Sequence, residues 1–192
     1  MSYTVSDYVR DLRGLHAKNL DENAMMAAIK PLAGKLAEDG SWFTEKMMTI
    51  NDELGVGIST LHEEDDHSLT VIAVAWGEQD LKVPPHDHGT WAVVAGIRGI
   101  ERNTLWQRQD DGTNPNPDYA EVASVSDTDI SLGDVICMGS GAIHTVANVG
   151  EGISLSLHTY GQNPNTTSRH QYDTENNCAK EFKIDFNSTT TR

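Results

Sequence analysis

Hydrophobic and polar positions along the chain follow two periods in turn. In the first fifty residues apolar positions recur three and four apart. Tyr8, Val9, Leu12 and Leu15 share one face of a helix that Ser6 or Asp7 can cap. A second helical segment runs from about Asp21 to Gly40, with Pro31 expected to break or kink it, and a third short turn covers 42–48. From Gly55 the period becomes two. The runs 55–63, 68–76, 91–108, 119–132, 134–139, 144–149 and 153–161 are rich in Val, Ile, Thr and Trp, and clusters of Gly, Asp, Pro and Asn separate them. Gly133-Asp134 reads as a tight hairpin turn, and 109–118 as a surface loop between two halves of the β region. The tail 187–192 has nothing to bury. No helical period interrupts the strands, which argues for an antiparallel sandwich or barrel rather than βαβ units. The expected organisation is one domain with an all-β core. Residues 1–50 form a helical segment packed on the barrel, and residues 51–192 form the barrel itself.

Charge narrows the function. Against 14 basic residues stand 29 acidic ones, a net charge of −15. A nucleic-acid backbone or an anionic membrane surface would repel such a chain. No apolar run approaches the ~20 residues of a membrane span, and the first residues carry acidic groups in place of a signal-peptide apolar region. The two cysteines, Cys137 and Cys178, have neither metal-ligand spacing nor the number of a disulfide framework, so the expected compartment is the reducing cytoplasm.

The eight histidines carry the candidate chemistry. His86 and His88 stand at i and i+2, which on a strand puts two imidazoles on one face and makes half of a metal site. The same pair can equally be surface histidines beside a Pro-Pro turn. His144 follows in the stretch GDVICMGSGAIHTVANV, where the spacing of Gly133, Gly139, Gly141, His144 and Asn148 resembles the second signature of the cupin superfamily, with Gly139 in the place of its proline. His86, His88 and Gly99 match the first cupin signature, with Ala92 where the glutamate would be and Asp80 in place of the leading glycine. The resemblance covers roughly residues 76–160. It implies a double-stranded β-helix, the cupin jelly-roll barrel, with His86, His88 and His144 as metal ligands. With no glutamate at position 92, the metal would keep its full charge and open positions for substrate and O2. Glu101 is the carboxylate that could otherwise complete the ligand set.

Ser156, His158 and Tyr160 lie on one face of a strand whose other face carries Leu155, Leu157 and Thr159. An ordinary half-exposed strand shows the same alternation. The arrangement also sets a hydroxyl, an imidazole and a phenol in a row able to hydrogen-bond in series. S-x-H-x-Y downstream of three ligand histidines, after a helical N-terminal segment, resembles the thiol dioxygenases, the cysteine and 3-mercaptopropionate dioxygenases. The resemblance implies one Fe(II) per chain, O2 as co-substrate and oxidation of a small thiol to its sulfinate, with Ser156, His158 and Tyr160 as a relay beside the iron. Val93 stands where animal cysteine dioxygenases carry the cysteine that cross-links to the tyrosine.

A thiol carboxylate calls for a cation, and the planar fork of arginine suits it. The stretch 55–69 contains no arginine, where cysteine dioxygenases of the animal type place theirs. Arg169 lies nine residues after Tyr160, as in the mercaptopropionate-type enzymes. It is therefore the candidate carboxylate clamp, with 3-mercaptopropionate favoured over L-cysteine. Arg98 and Arg102 are alternative carboxylate partners that read more simply as outward-facing strand charges, and Trp76, Trp91 and Trp106 read as core. His16, His62, His67 and His170 read as surface or locally bonded residues. Three other functions share the three histidines: a cupin acting on a carbonyl or diketone substrate, a non-catalytic metal-binding cupin, and a zinc hydrolase.

Overall fold

The computed structural model describes residues 2–51, 55–77 and 83–184. Asp80 and the tail 187–192 lie outside the described residues. Helix α1, Val5–His16, starts earlier than Ser6 or Asp7 as caps would allow. Thr4 is the cap: its side chain accepts from the Asp7 N–H at 3.1 Å, and Asp7 accepts in return from the Thr4 N–H at 3.1 Å. Helix α2, Glu22–Asp39, is capped by Asp21 and ends at Gly40 in the left-handed conformation. It runs through Pro31 without a break. Pro31 is exposed, while Met25, Met26, Ile29, Ala33, Leu36 and Ala37 on the other side are buried, and that packing outweighs one missing backbone donor. A 3₁₀ turn, Glu45–Met48, follows.

Ten strands complete the chain: β1 Val56–Glu63, β2 Thr70–Trp76, β3 Ala92–Arg98, β4 Glu101–Arg108, β5 Val122–Ile130, β6 Val135–Met138, β7 Ile143–Asn148, β8 Ser154–Tyr160, β9 His170–Asp173 and β10 Cys178–Glu181. The run 91–108 is two strands, because Gly99, at φ +71°, turns the chain from one sheet into the other. Gly133-Asp134 is a tight turn but not a hairpin, since β5 and β6 belong to different sheets. The pair β9–β10 escaped the period-two reading because its strands are only four residues long.

One sheet has the order β1-β2-β8-β3-β6 and the other β5-β4-β7. His86 extends the second sheet by pairing with His144 on β7 and, on its other side, with Gln171 on β9. From β2 onward the chain passes back and forth between the two sheets. That antiparallel interleaving is the double-stranded β-helix.

The five-stranded sheet is covered on both faces. Val71, Ala73, Val93, Ala95, Leu155 and Leu157 pack against α1 and α2. Ile72, Val74, Ala92, Val94 and Tyr160 face the interior of the barrel. Tyr8 ties α1 to the back of β8, its hydroxyl 2.8 Å from Thr159 Oγ1. Val93 thus faces the helices, one residue out of phase with the interior. The residue opposite Tyr160 across the β3–β8 pair is Ala92, so the cross-link position suggested for Val93 does not face the tyrosine. Among the described residues, no helix is long and apolar enough to cross a membrane.

Gly96 marks where the two sheets close on each other. A Cβ there would lie 2.2 Å from the Ser131 carbonyl oxygen, and the Gly96 N–H and carbonyl bond Asp134 and Gly133. Gly96→Ala must push this corner apart, at about 1–3 kcal/mol or more. Thermal unfolding followed by circular dichroism should show Tm lowered by roughly 2–12 °C.

Candidate metal centre

Three buried imidazoles converge inside the barrel. The ligand atoms of His86, His88 and His144 lie within 4.8 Å of one another. His88 Nε2 and His144 Nε2 are 3.3 Å apart. Two nitrogens each about 2.1 Å from one cation stand roughly 3.0–3.4 Å apart, so the pair already has the spacing of ligands. The strand pairing brings the three together: His86 faces His144 across an antiparallel bridge, and His88 returns to the same side two residues later.

Hydrogen bonds orient two of the rings. His86 Nδ1 donates to the Pro84 carbonyl at 3.0 Å, and His144 Nδ1 donates to Asn103 Oδ1 at 3.0 Å. Each leaves Nε2 bare and aimed inward, the tautomer a metal requires. Burial holds all three rings neutral. It lowers His86 to about 4, with Arg169 adding to the effect. Burial and the neighbouring imidazoles take His88 and His144 well below the usual histidine range. Neutral nitrogen donors on one side of a small cavity suit a divalent metal with open positions opposite. Glu101 is not part of this cluster, and Ala92, at the position of the cupin glutamate, faces inward with no donor to offer.

The row on β8 faces the same interior. Ser156 Oγ is 2.8 Å from His158 Nε2, and His158 Nδ1 is 2.9 Å from the Tyr160 hydroxyl. The Tyr160 ring packs edge-on against His88 with centroids 5.0 Å apart. Both faces of β8 are buried, which removes the half-exposed reading of this strand. Desolvation keeps His158 neutral, lowered to about 3, and raises the Tyr160 phenol above its ordinary range.

Beyond the row lie residues that sequence reasoning did not assemble. Glu101 Oε2 accepts from Ser156 Oγ at 2.5 Å, and Glu101 Oε1 accepts from Asn103 Nδ2 at 2.8 Å. Glu101 and Asn103 are both buried, two apart on β4. The signal in the sequence was their period of two, masked by the charges around them. Trp76, read as core, is buried and also donates to Ser156 Oγ at 3.4 Å.

Arg169, just before β9, is 2% exposed and lines a cavity of about 100 Å³ shared with the three histidines, His158 and Tyr160. Its guanidinium lies over the Phe182 ring at 4.0 Å, and its Nε has no hydrogen-bond partner. Burial lowers Arg169 to about 10, so it stays charged at neutral pH. The loop and strand that carry it are fastened to the ligand segment. Thr167 Oγ1 donates to the His88 carbonyl at 2.6 Å, and Asp87 accepts from the Tyr172 hydroxyl at 3.0 Å. Arg98 is exposed and Arg102 half-buried, paired to Asp129 at 2.6 Å. His62 and His67 face Glu64 and Glu63, His170 lies near Asp87, and His16 is exposed.

No family model matches the sequence. Among solved structures, an oxalate oxidase is 16% identical over 64% of this chain and 60% of its own, with a TM-score of 0.44. An RmlC-like cupin with a double-stranded β-helix fold from Methanocaldococcus jannaschii is 11% identical over 64% of this chain and 88% of its own, with a TM-score of 0.44. A cupin superfamily protein from Desulfitobacterium hafniense DCB-2 is 14% identical over 55% of this chain and 75% of its own, with a TM-score of 0.38. The chain therefore spans 60% of the length of the oxalate oxidase it matches. The strand order, rather than these distant likenesses, carries the fold assignment: a cupin-type double-stranded β-helix, with a three-histidine cluster fit for a metal.

The geometry makes Asn103 the support of one ligand. Asn103→Ala frees the His144 ring and should weaken metal affinity about 10- to 100-fold. His144→Ala should abolish stoichiometric retention. Competition with a chelator and metal analysis of the purified variants check both.

Proposed function

We propose that the protein is an Fe(II)-dependent thiol dioxygenase that oxidises a small thiol carboxylate to its sulfinate with O2, preferring 3-mercaptopropionate to L-cysteine. The observation that carries this reading is the buried Arg169 guanidinium, whose Nε is unpartnered, in the same small cavity as three neutral imidazoles. A buried charge costs several kcal/mol unless it is paired. Among the described residues no carboxylate forms an ion pair with Arg169, so an anionic ligand is the partner the cavity calls for.

A ferrous ion held by His86, His88 and His144 would supply the redox chemistry that joins thiol and dioxygen. The chain's own residues would do the rest. Arg169 would hold the substrate carboxylate, with Phe182 keeping its fork flat. The Tyr160 hydroxyl would meet the sulfur side of the substrate, fixed by His158, which Ser156 fixes in turn. Ile58, Ile72 and Val74 would exclude water from the reacting atoms. The described cavity lining contains no carboxylate. The ammonium group of cysteine would therefore be buried unpaired, which favours a mercapto-acid without an amino group.

Oxygen uptake by iron-loaded protein against a panel of small thiols tests the reading. 3-Mercaptopropionate should give the highest kcat/KM and L-cysteine a low one. No thiol-dependent uptake removes the reading, and a preference for L-cysteine removes the specificity. Arg169→Ala should lose about 30- to several-thousand-fold in kcat/KM for 3-mercaptopropionate, corresponding to about 2–5 kcal/mol. Cysteamine, which has no carboxylate, should be affected much less. Equal losses for both would make Arg169 structural.

Tyr160→Phe keeps the ring and removes the hydroxyl. Turnover should fall while metal content stays near that of the parent, measured side by side on the same preparations.

A further inference from the structure

Glu101 is a buried carboxylate outside both the three-histidine cluster and the lining of its cavity, yet it joins two hydrogen-bonded arms. One arm runs through Asn103 to the His144 ring, and the other runs through Ser156 and His158 to the Tyr160 hydroxyl. The groups that face it are Ser156 from β8, Asn103 from its own strand and Trp76 from β2, whose indole N–H reaches both the carboxylate and Ser156, with Tyr160 within electrostatic range. No cation among them compensates its charge.

The donors and acceptors along the second arm fit in two directions and no others. With Glu101 ionised, Ser156 donates to it, His158 Nε2–H donates to Ser156, and Tyr160 donates to His158 Nδ1. The phenol then turns a lone pair to the cavity. With Glu101 protonated on Oε2, every bond reverses. The carboxyl donates to Ser156, Ser156 donates to His158 Nε2, His158 Nδ1–H donates to the phenol oxygen, and the Tyr160 O–H is free to point into the cavity. In both states Ser156 uses one donor and two acceptor sites, since Trp76 Nε1 supplies the remaining hydrogen bond. The Asn103 arm is the same in both, because Oε1 only accepts.

We propose that Glu101 is the proton store of this site, positioning Tyr160 and taking up, through Ser156 and His158, the proton that a thiol loses on entering the cavity. This rests on the thiol reading of the site. The S–H bond breaks and the sulfur keeps its electron pair. The proton goes to the Tyr160 oxygen as that oxygen passes its own to His158 Nδ1. His158 Nε2 passes its proton to Ser156, and Ser156 passes its proton to Glu101. One proton leaves the thiol and one arrives at the carboxyl, so the cavity gains a thiolate while Tyr160 and His158 end neutral. Burial, which raises Glu101 above the ordinary carboxylate range, makes it a willing acceptor. The outcome also turns the Tyr160 O–H toward the substrate, ready to donate.

The test is anaerobic binding of 3-mercaptopropionate to iron-loaded protein, followed by calorimetry in buffers of different ionisation enthalpy and by infrared difference spectra. The parent should bind the thiol without releasing its proton to solvent and should gain the C=O stretch of a protonated carboxyl. Glu101→Gln keeps the bond to Asn103 and cannot take a proton. It should retain metal, release about one proton more per thiol bound, lack the band and lose roughly a hundred-fold in kcat. Ser156→Ala leaves Glu101 in place and cuts the path, and it should lack the band as well. It stands in if the glutamine variant does not fold. Binding by the parent with no carboxyl band, or an equal band in Glu101→Gln, overturns the proposal and leaves the thiol reading intact. Failure of the parent to bind any thiol defeats the thiol reading itself, and with it the source of the proton.

Discussion

Strand β8 carries the constraint on which the molecule depends: its two faces are both buried, against different partners. Leu155 and Leu157 belong to the core under the helices, and Thr159 receives the Tyr8 hydroxyl. Ser156, His158 and Tyr160 point the other way, into the barrel. Because side chains on a strand alternate strictly, a slip of one residue would send the polar row into the helix interface and the leucines onto the metal ligands. Register is held on both flanks. β2 pairs with β8 from Thr70↔Tyr160 to Trp76↔Ser154 without a shift, and β3 pairs with it from Ala92↔Tyr160 to Gly96↔Ser156. Hydrophobic packing on one side of the sheet thereby fixes the geometry of the polar row on the other.

The interior that results is electrostatically one-sided. The chain carries a net charge of −15, yet the cavity is lined by four neutral imidazoles and one guanidinium and by no carboxylate among the described residues. Two buried acids lie nearby: Asp87 turns to Tyr172 and His170, and Glu101 sits behind the serine and asparagine that it bonds. Other acids pair with arginines nearer the surface, as Asp129 does with Arg102 and Glu64 with Arg13.

Where the sequence could be read, it was read through local periods. The alternation in 154–160 and the spacing of His86, His88 and His144 are properties of a few neighbouring residues, and the structure brings them together on one side of the barrel. Glu101 was legible only as a possible ligand and Asn103 not at all, because E-R-N-T has the look of a solvent-facing strand. Only the packing of β7 and β8 against β4 buries them. The corner at Gly99 was missed for a similar reason: the residues on both sides of it favour strand, and only the change of sheet shows that the strand ends. Val93 was placed one residue out of phase, since spacing alone does not say which face of β3 looks inward. Phe182, which stacks on Arg169, lies beyond the region that carried any recognisable pattern.

The wall of the cavity opposite the barrel is built from Pro164, Arg169, Phe182 and Ile184, all downstream of β8. It is fastened to the barrel by side-chain hydrogen bonds from Thr167 to the His88 carbonyl, from Asn163 to Glu63 and from Tyr172 to Asp87, and by backbone bonds between β9 and residues 85–87. The ligands and the polar row come earlier in the chain, on strands locked into both sheets. Inheritance can therefore act on the two parts separately. A lineage that rewrites this late segment while keeping these fastenings would change what the cavity admits without disturbing the histidines, so relatives of this protein should diverge fastest in the stretch that walls off the cavity.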